Sequence, residues 1–362
     1  MMPTLFFKIL IILVIQPVCI MNCYSSDKGS RMNLKKIKKS SLLFPIRETD
    51  KKPLFTFIDL FAGIGGIRLG FESAGGQCVF SSEWDKAAQI TYKANFHEEP
   101  TGDITKVDAA SIPKFNMLLA GFPCQPFSQA GLKKGFEDTR GTLFFDIARI
   151  IDYHKPEVVF LENVKNLAGH EKGKTLRVIT ETLKNMNYTV FHKILNAKDF
   201  GLPQNRARIY IIAFKHDVTF DFPQTPMIPT RLGDILEKNV AEKYTISNKL
   251  WEGHQRRKSE HKLKGFGFGY SLFDENSSYT STMSARYYKD GSEILVAQKD
   301  KNPRKITPTE AKRLQGFPED FVIPVSDNQA YKQFGNSVAV PVIKSLANKI
   351  LETLDFHNIE LN

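Results

Sequence analysis

The chain has 362 residues, 42% hydrophobic and 25% charged, the balance of a soluble globular protein with room for one large domain or two ordinary ones. Its formal net charge of +11 favours a polyanionic partner. Four cysteines with no Cys-x-x-Cys pair, and eight scattered histidines with no His-Glu-x-x-His spacing, exclude a disulfide scaffold and argue against a metal.

Residues 5–15 are almost wholly apolar, broken by Lys8 and followed by Cys19 and Cys23. That stretch has the look of a signal-peptide core and is short for a membrane span. Met32 then opens a basic, polar run that suits a cytosolic start. Residues 1–31 are therefore expected to be an upstream extension of the reading frame, with an export or anchoring signal as the alternative. Residues 32–52 read as a flexible lead-in. Free thiols point to a reducing compartment, the cytoplasm, with no membrane association.

From residue 54 the pattern changes. Residues 55–61 are β-branched and aromatic, hence a strand. Ala62-Gly63-Ile64-Gly65-Gly66 is a turn, and residues 67–74 are an amphipathic helix. In such a unit the loop glycines let a ligand approach the backbone at the carboxyl edge of the strands. A second strand over 77–82 ends in Glu83-Trp84-Asp85. An acid there is the usual acceptor for a ribose hydroxyl, and Trp84 offers an aromatic face for an adenine or a sulfonium cation. Asp103, in Gly102-Asp103-Ile104, is placed to accept an adenine amino group. Each piece also has a plain reading, a tight turn or a helix-cap neighbour; order and spacing favour the ligand. The glycines do not spell G-x-G-x-x-G, which argues against a dinucleotide. They are similar instead to the loop of S-adenosylmethionine-dependent methyltransferases.

A short apolar run at 115–120 reads as a buried strand. It leads into Gly121-Phe122-Pro123-Cys124-Gln125-Pro126-Phe127-Ser128. Two prolines stiffen the loop around Cys124, which suits an aimed nucleophile; taken alone, a buried inert thiol is the commoner fate. Gly131 to Gly141 reads as a lid or an inert surface loop. A helix is expected over 142–153 and a buried strand over 156–161, ended by Glu162. A carboxyl in apolar surroundings at a strand end holds its proton above the usual range, making Glu162 a candidate proton donor, with a salt-bridge partner as the plain alternative. A helix over 172–187 and a strand over 189–196 follow. Arg206 and Arg208, two apart on an extended segment, share one face before a strand at 209–214. These alternations predict an α/β fold, an open, doubly wound, mostly parallel sheet with ligands at the carboxyl ends of its strands.

Residues 230–300 lose the strand–helix rhythm. They carry His254-Gln255-Arg256-Arg257-Lys258, Lys262-Leu263-Lys264, a Gly/aromatic run at 265–270, and Arg286, Tyr287 and Tyr288. Basic residues interleaved with Gly and aromatics suit phosphate and base-edge contacts, or simply a solvated face. Arg304-Lys305 and Thr307-Pro308-Thr309-Glu310 open a helix with Thr307 or Thr309 as cap. A last amphipathic helical region spans 330–354.

The ordered set of motifs over residues 54–355 resembles the bacterial cytosine-5 DNA methyltransferases of restriction–modification systems: the 57–66 loop, Glu83-Trp84, Asp103, Pro123-Cys124-Gln125, Glu162-Asn163-Val164, Gln204 to Arg208, residues 304–318, and Gln333-Phe334-Gly335-Asn336-Ser337-Val338. The resemblance implies catalytic roles for Cys124, Glu162, Arg206 and Arg208. It implies S-adenosylmethionine as cofactor, held by Asp59, Phe61, Gly63, Gly65 and Gly66, by Glu83, Trp84, Asp103 and Ile104, and by Pro123, Leu143, Asn336 and Ser337. It implies double-stranded DNA as substrate, a flipped-out cytosine, a separately acting restriction endonuclease and a monomer. The same resemblance divides the chain into a leader at 1–52, a catalytic and cofactor domain at 53–217 completed by 327–362, and a target-recognition domain at 218–326. A tRNA cytosine substrate is the rival on the same fold. A nicotinamide-dependent oxidoreductase is disfavoured by the missing glycine fingerprint, and an inactive DNA-binding module by the presence of Cys124, Glu162 and Arg208 together.

Overall fold

The computed structural model describes residues 52–123, 143–265, 267 and 269–361. The leader, Cys124, the 131–141 stretch, Phe266 and Phe268 lie outside them.

Six strands form the main sheet: β1 (Phe55–Leu60), β2 (Gly76–Ser82), β3 (Met117–Gly121), β4 (Val158–Val164), β5 (Thr189–Asn196) and β6 (Ala207–Phe214). Their spatial order is β2-β1-β3-β4-β6-β5. Pairings from β2 through β4 are parallel, whereas β6 is antiparallel to both β4 and β5. Five strands thus run one way and one is reversed, the mostly parallel α/β sheet expected from the alternation.

Period-two side chains sort the apolar residues onto two faces. Met117, Leu119, Val158, Phe160, Tyr210 and Ile212 face one core. Leu118, Ala120, Val159, Leu161, Ile209 and Ile211 face the other. Helices α1 (Gly66–Glu72) and α8 (Val340–Phe356) cover the first face; a Cβ on Gly70 would run into Ile343. Helices α3 (Leu143–His154) and α4 (Lys174–Asn185) cover the second. Helix α2 (Lys86–Phe96) follows β2, with Asp85 accepting from the Ala87 and Ala88 amides as its cap.

The expected helical region at 330–354 is two helices, α7 (Asp327–Asn336) and α8, parted at extended Ser337. Residues 230–300 hold an unexpected 16-residue helix, α5 (Asn248–Leu263). The remaining strands, β7 (Leu272–Phe273), β8 (Leu295–Gln298) and β9 (Lys301–Lys305), make a small second sheet. Arg304 and Lys305 thus end a strand rather than open a helix. Helix α6 (Pro308–Leu314) begins at Thr307 with a full capping box to Glu310. A third core joins these pieces: Met283, Tyr287, Ile294, Leu314, Phe317 and Phe334 pack together, with Ile64 of the glycine loop among them. None of the described helices is long and apolar enough to cross a membrane.

Glu310 is fully buried and takes both ends of the Arg304 guanidinium, at 2.8 Å each, besides capping α6. Removing one partner of such a pair strands the other charge in the core. Glu310→Ala should therefore cost about 3–5 kcal/mol. Thr307→Ala, which loses the cap and a hydrogen bond to Glu237 but keeps the ion pair, should cost about 1–2 kcal/mol. Urea denaturation of the two variants reads the difference directly, and equal losses would show that the ion pair contributes nothing beyond the cap.

Candidate active site

The glycine loop lies between the end of β1 and the start of α1. Phe61, Gly63 and Gly65 all have positive φ, at 56°, 56° and 81°. That conformation suits Gly63 and Gly65 and is unusual for Phe61. Around a Cβ built on Gly63 there is no atom within 4 Å, so the loop backbone opens onto free space there. At Gly65 the Phe96 ring occupies the place of a side chain, and at Gly66 the Ser337 Oγ lies 2.8 Å from it. The turn after α7 therefore packs against the loop.

Glu83, at the end of β2, fastens this loop. One carboxylate oxygen accepts from the Gly63 amide at 2.8 Å and the other from the Asp85 amide at 2.7 Å. Burial raises its pKa, and these amides pull it back. Two carboxylate oxygens carry four lone pairs, so acceptor capacity remains beyond these backbone amides. Trp84 beside it is 77% exposed, an aromatic face with no protein packed on it. Asp85 ties the same corner to α7 through Lys332 at 2.6 Å.

Asp103 stands apart from a strand end. It caps the short turn Ile104–Lys106, accepting from the Thr105 amide and hydroxyl, which hold its pKa down. Ile104 is buried, Pro123 exposed and Leu143 half-buried at the start of α3. Asn336 is exposed at the end of α7.

Asp59 is enclosed. It has no exposed surface and neither oxygen meets a hydrogen-bond donor. Its carboxyl therefore sits beneath the loop and presents nothing to a ligand. Arg68 on α1 is the nearest cation; it is itself engaged by Glu98 at 2.5 Å and the Tyr92 hydroxyl at 2.9 Å, with the Phe96 ring 4.3 Å away.

On the other side of the sheet edge Glu162 and Arg208 meet. They come from antiparallel β4 and β6, where Glu162 lies opposite Tyr210 and Arg208 opposite Val164, so the two are diagonal neighbours on one face, and the Arg208 Nε is 3.3 Å from a Glu162 oxygen. Burial raises the Glu162 pKa, opposed by Arg208 and then Arg206. The two arginines precede or open β6, as the sequence order requires. They stand at the amino end of the reversed strand, which brings Arg208 to the carboxyl edge of its neighbours. Nor do they act as one pair. Arg206 is 2% exposed and spends its fork on the carbonyls of Met283, Gly335 and Ser337.

Asn163 was passed over as a functional residue. Its side-chain amide donates to the Phe122 carbonyl at 2.7 Å, anchoring the chain two residues before Cys124. Its position directly after Glu162 at a strand end was the available signal. Among the described residues no group of His, Cys, Asp or Glu is disposed to hold a metal.

Burial lifts the Asp59 carboxyl from 3.8 to about 7, with Arg68 opposing. An acid whose pKa rises on folding is bound to its proton more tightly in the folded state. Its contribution to stability thus falls as pH climbs from about 4 to about 7 and is level above, a loss of a few kcal/mol at roughly 1.4 kcal/mol per unit. Asp59→Asn should flatten that fall. Urea midpoints at pH 5, 6, 7 and 8 test it, and an unaltered slope would remove Asp59 as its source.

Residues 55–352 match the family model of the C-5 cytosine-specific DNA methylases. The Type II methyltransferase M.SsoII of Shigella sonnei is 64% identical over 307 residues, covering 83% of this chain and 81% of that protein. The Type II methyltransferase M.NlaX of Neisseria lactamica is 62% identical over 305 residues, covering 83% of this chain and 97% of its own length. Among solved structures, the Entamoeba histolytica methyltransferase superposes with a TM-score of 0.67 at 22% identity, over 84% of this chain and 99% of that one. At that identity the superposition speaks for the fold alone.

Proposed function

The chain belongs to the C-5 cytosine-specific DNA methylases, and from that premise we propose how its residues divide the work of methylating carbon 5 of a cytosine in duplex DNA. Its activity is that of a DNA cytosine-5 methyltransferase of the Type II restriction–modification kind; a tRNA substrate has the weaker support, since relatives up to 64% identical are named Type II methyltransferases.

The observation that carries the reading is the Glu162–Arg208 pair at the sheet edge, next to the Phe122 carbonyl that Asn163 anchors. Carbon 5 of cytosine is a poor nucleophile until carbon 6 is attacked. The Cys124 thiolate supplies that attack, forming a sulfur–carbon bond and making the ring enamine-like. A proton on Glu162 is shared with ring nitrogen 3 as negative charge develops there, and Arg208 holds the 2-oxo group. After carbon 5 is methylated, a base takes its proton and the sulfur–carbon bond breaks, returning the thiolate. The target base sits inside the duplex, so it is extruded first, at a cost of a few kcal/mol.

S-adenosylmethionine, when bound, supplies an electrophilic methyl group. The residues fit it: the loop backbone is open at Gly63, Glu83 keeps free lone pairs, and the Trp84 face is bare. Phe61, Gly65, Gly66, Ile104, Pro123, Leu143, Asn336 and Ser337 complete the lining, with Asp103 as the adenine acceptor. Asp59 acts from beneath the loop. We assign residues 53–217 with 327–362 to catalysis and cofactor, and 218–326 to target recognition, with DNA phosphates held by exposed basic side chains such as Arg256 and Lys262 on α5. A restriction endonuclease acting separately on the same sequence is the proposed companion.

Bisulfite sequencing of DNA from cells expressing the protein should show protected cytosines confined to one short sequence. Cys124→Ala should abolish that protection while S-adenosylhomocysteine binding persists. A duplex carrying 5-fluorocytosine should form a denaturation-resistant adduct with the wild-type chain and none with the variant. Protection that survives in Cys124→Ala would remove the nucleophile.

A further inference from the structure

The turn after α7, the 280–285 segment and the root of β6 meet at Arg206. Its Nη1 donates to the Met283 carbonyl at 2.9 Å. Its Nη2 donates to the Gly335 carbonyl at 3.0 Å and also to that of Ser337. The contact is reinforced two residues earlier. Gln204 accepts from the Met283 amide at 3.0 Å and donates to the Leu314 carbonyl at 3.1 Å. Both backbone groups of Met283 are thereby held by one short stretch. Gly335 has no room for a side chain, because the backbone of Ser284 and Ala285 fills it. At the other end of the same turn, the Ser337 Oγ abuts the first residue of α1, Gly66. Arg208, two residues beyond Arg206, pairs with Glu162.

No carboxylate hydrogen-bonds this cation. Burial, then the charge of Arg208, lower its pKa to about 9, so it stays charged at neutral pH. A planar fork with five fixed donors can serve carbonyls from two separate segments at once; an ammonium cannot reproduce that geometry. Any ligand that shifts the Ser337 turn against Gly66 therefore loads the same guanidinium that fixes Met283. We propose that Arg206 is a positioning residue that couples cofactor binding at the glycine loop to DNA binding by the 218–326 region, whose 280–285 segment it holds at Met283, and that it does not touch the substrate. This rests on the division of labour set out above, and it replaces a catalytic role for Arg206. Coupling between two sites is reciprocal: DNA must tighten the cofactor by the factor with which cofactor tightens DNA.

The test uses the full chain, S-adenosylhomocysteine, and a duplex carrying the sequence found by bisulfite read-out, titrated singly and together. The wild-type chain should bind S-adenosylhomocysteine at least about fivefold tighter when saturated with DNA. In Arg206→Lys that factor should fall to within about twofold of one, while each ligand alone binds within about threefold of wild type. If Arg206→Lys does not fold, Gln204→Met, which releases the Met283 amide together with the Leu314 carbonyl and the Gln315 side chain but leaves the Arg206 fork in place, should lower the factor part of the way. A factor kept intact in a folded variant overturns the proposal, as does a wild-type factor of one. Loss of both single affinities with the factor preserved would make Arg206 a part of each site instead. A wild-type chain that binds no S-adenosylhomocysteine at all would sink the cofactor assignment itself, and the coupling with it.

Discussion

One reversed strand governs the chemistry of this protein. Had β6 run parallel to β4, its amino end would lie at the far edge of the sheet, some 20 Å from Glu162 at about 3.3 Å per residue over a short strand. Because β6 is antiparallel, residues that enter the strand arrive where its neighbours leave it. Arg208 is thereby delivered to Glu162, and the loop that carries Gln204 and Arg206 is delivered to the segments that follow α6 and α7. A hairpin between β5 and β6 is the cheapest way to obtain that reversal, since it needs no crossover helix.

The glycine-loop side of the edge is organised from behind. Glu83 accepts from the Gly63 amide, so the loop backbone is shaped by a side chain on the next strand rather than by its own sequence. Phe96 fills the space at Gly65 and stacks near the Arg68 guanidinium, which also serves Tyr92 and Glu98. Asp59 lies next to this cluster with no donor of its own. A charge there is expensive, and a proton on it is the simpler solution, so the loop stands on a group that is neutral over much of the acid range.

Much of this could be read from the chain, because the signals were local. The β-branched and aromatic runs at Phe55, Met117 and Val158 alternate between two cores, and the strands follow. A threonine cap before α6, at Thr307 or Thr309, was legible, and Thr307 is the one used. What escaped was set by tertiary partners. Helix α5 has no apolar stripe; His254 is its only buried residue, so no period marked it. The direction of β6 leaves no trace in its composition, since a strand covered on both faces is apolar throughout. The division of the last helical region at Ser337 serves carbonyls that accept from Arg206, a partner 131 residues away. The full burial of Asp59, implied by the family resemblance as a cofactor residue, likewise comes from tertiary neighbours that close over it.

The proton on Glu162 is a matter of balance between two large terms. A guanidinium at 3.3 Å favours the carboxylate by roughly 5 kcal/mol at an effective dielectric constant of about 20. The carboxyl pKa is nevertheless raised, so burial outweighs that attraction. Anything that draws Arg208 toward another acceptor removes part of the opposing term and tightens the hold on the proton. A pyrimidine whose 2-oxo group engages Arg208 does this in the same act by which it presents ring nitrogen 3. On the proposed division of roles, a base that engages Arg208 would leave Glu162 holding its proton more firmly as ring nitrogen 3 is presented to it.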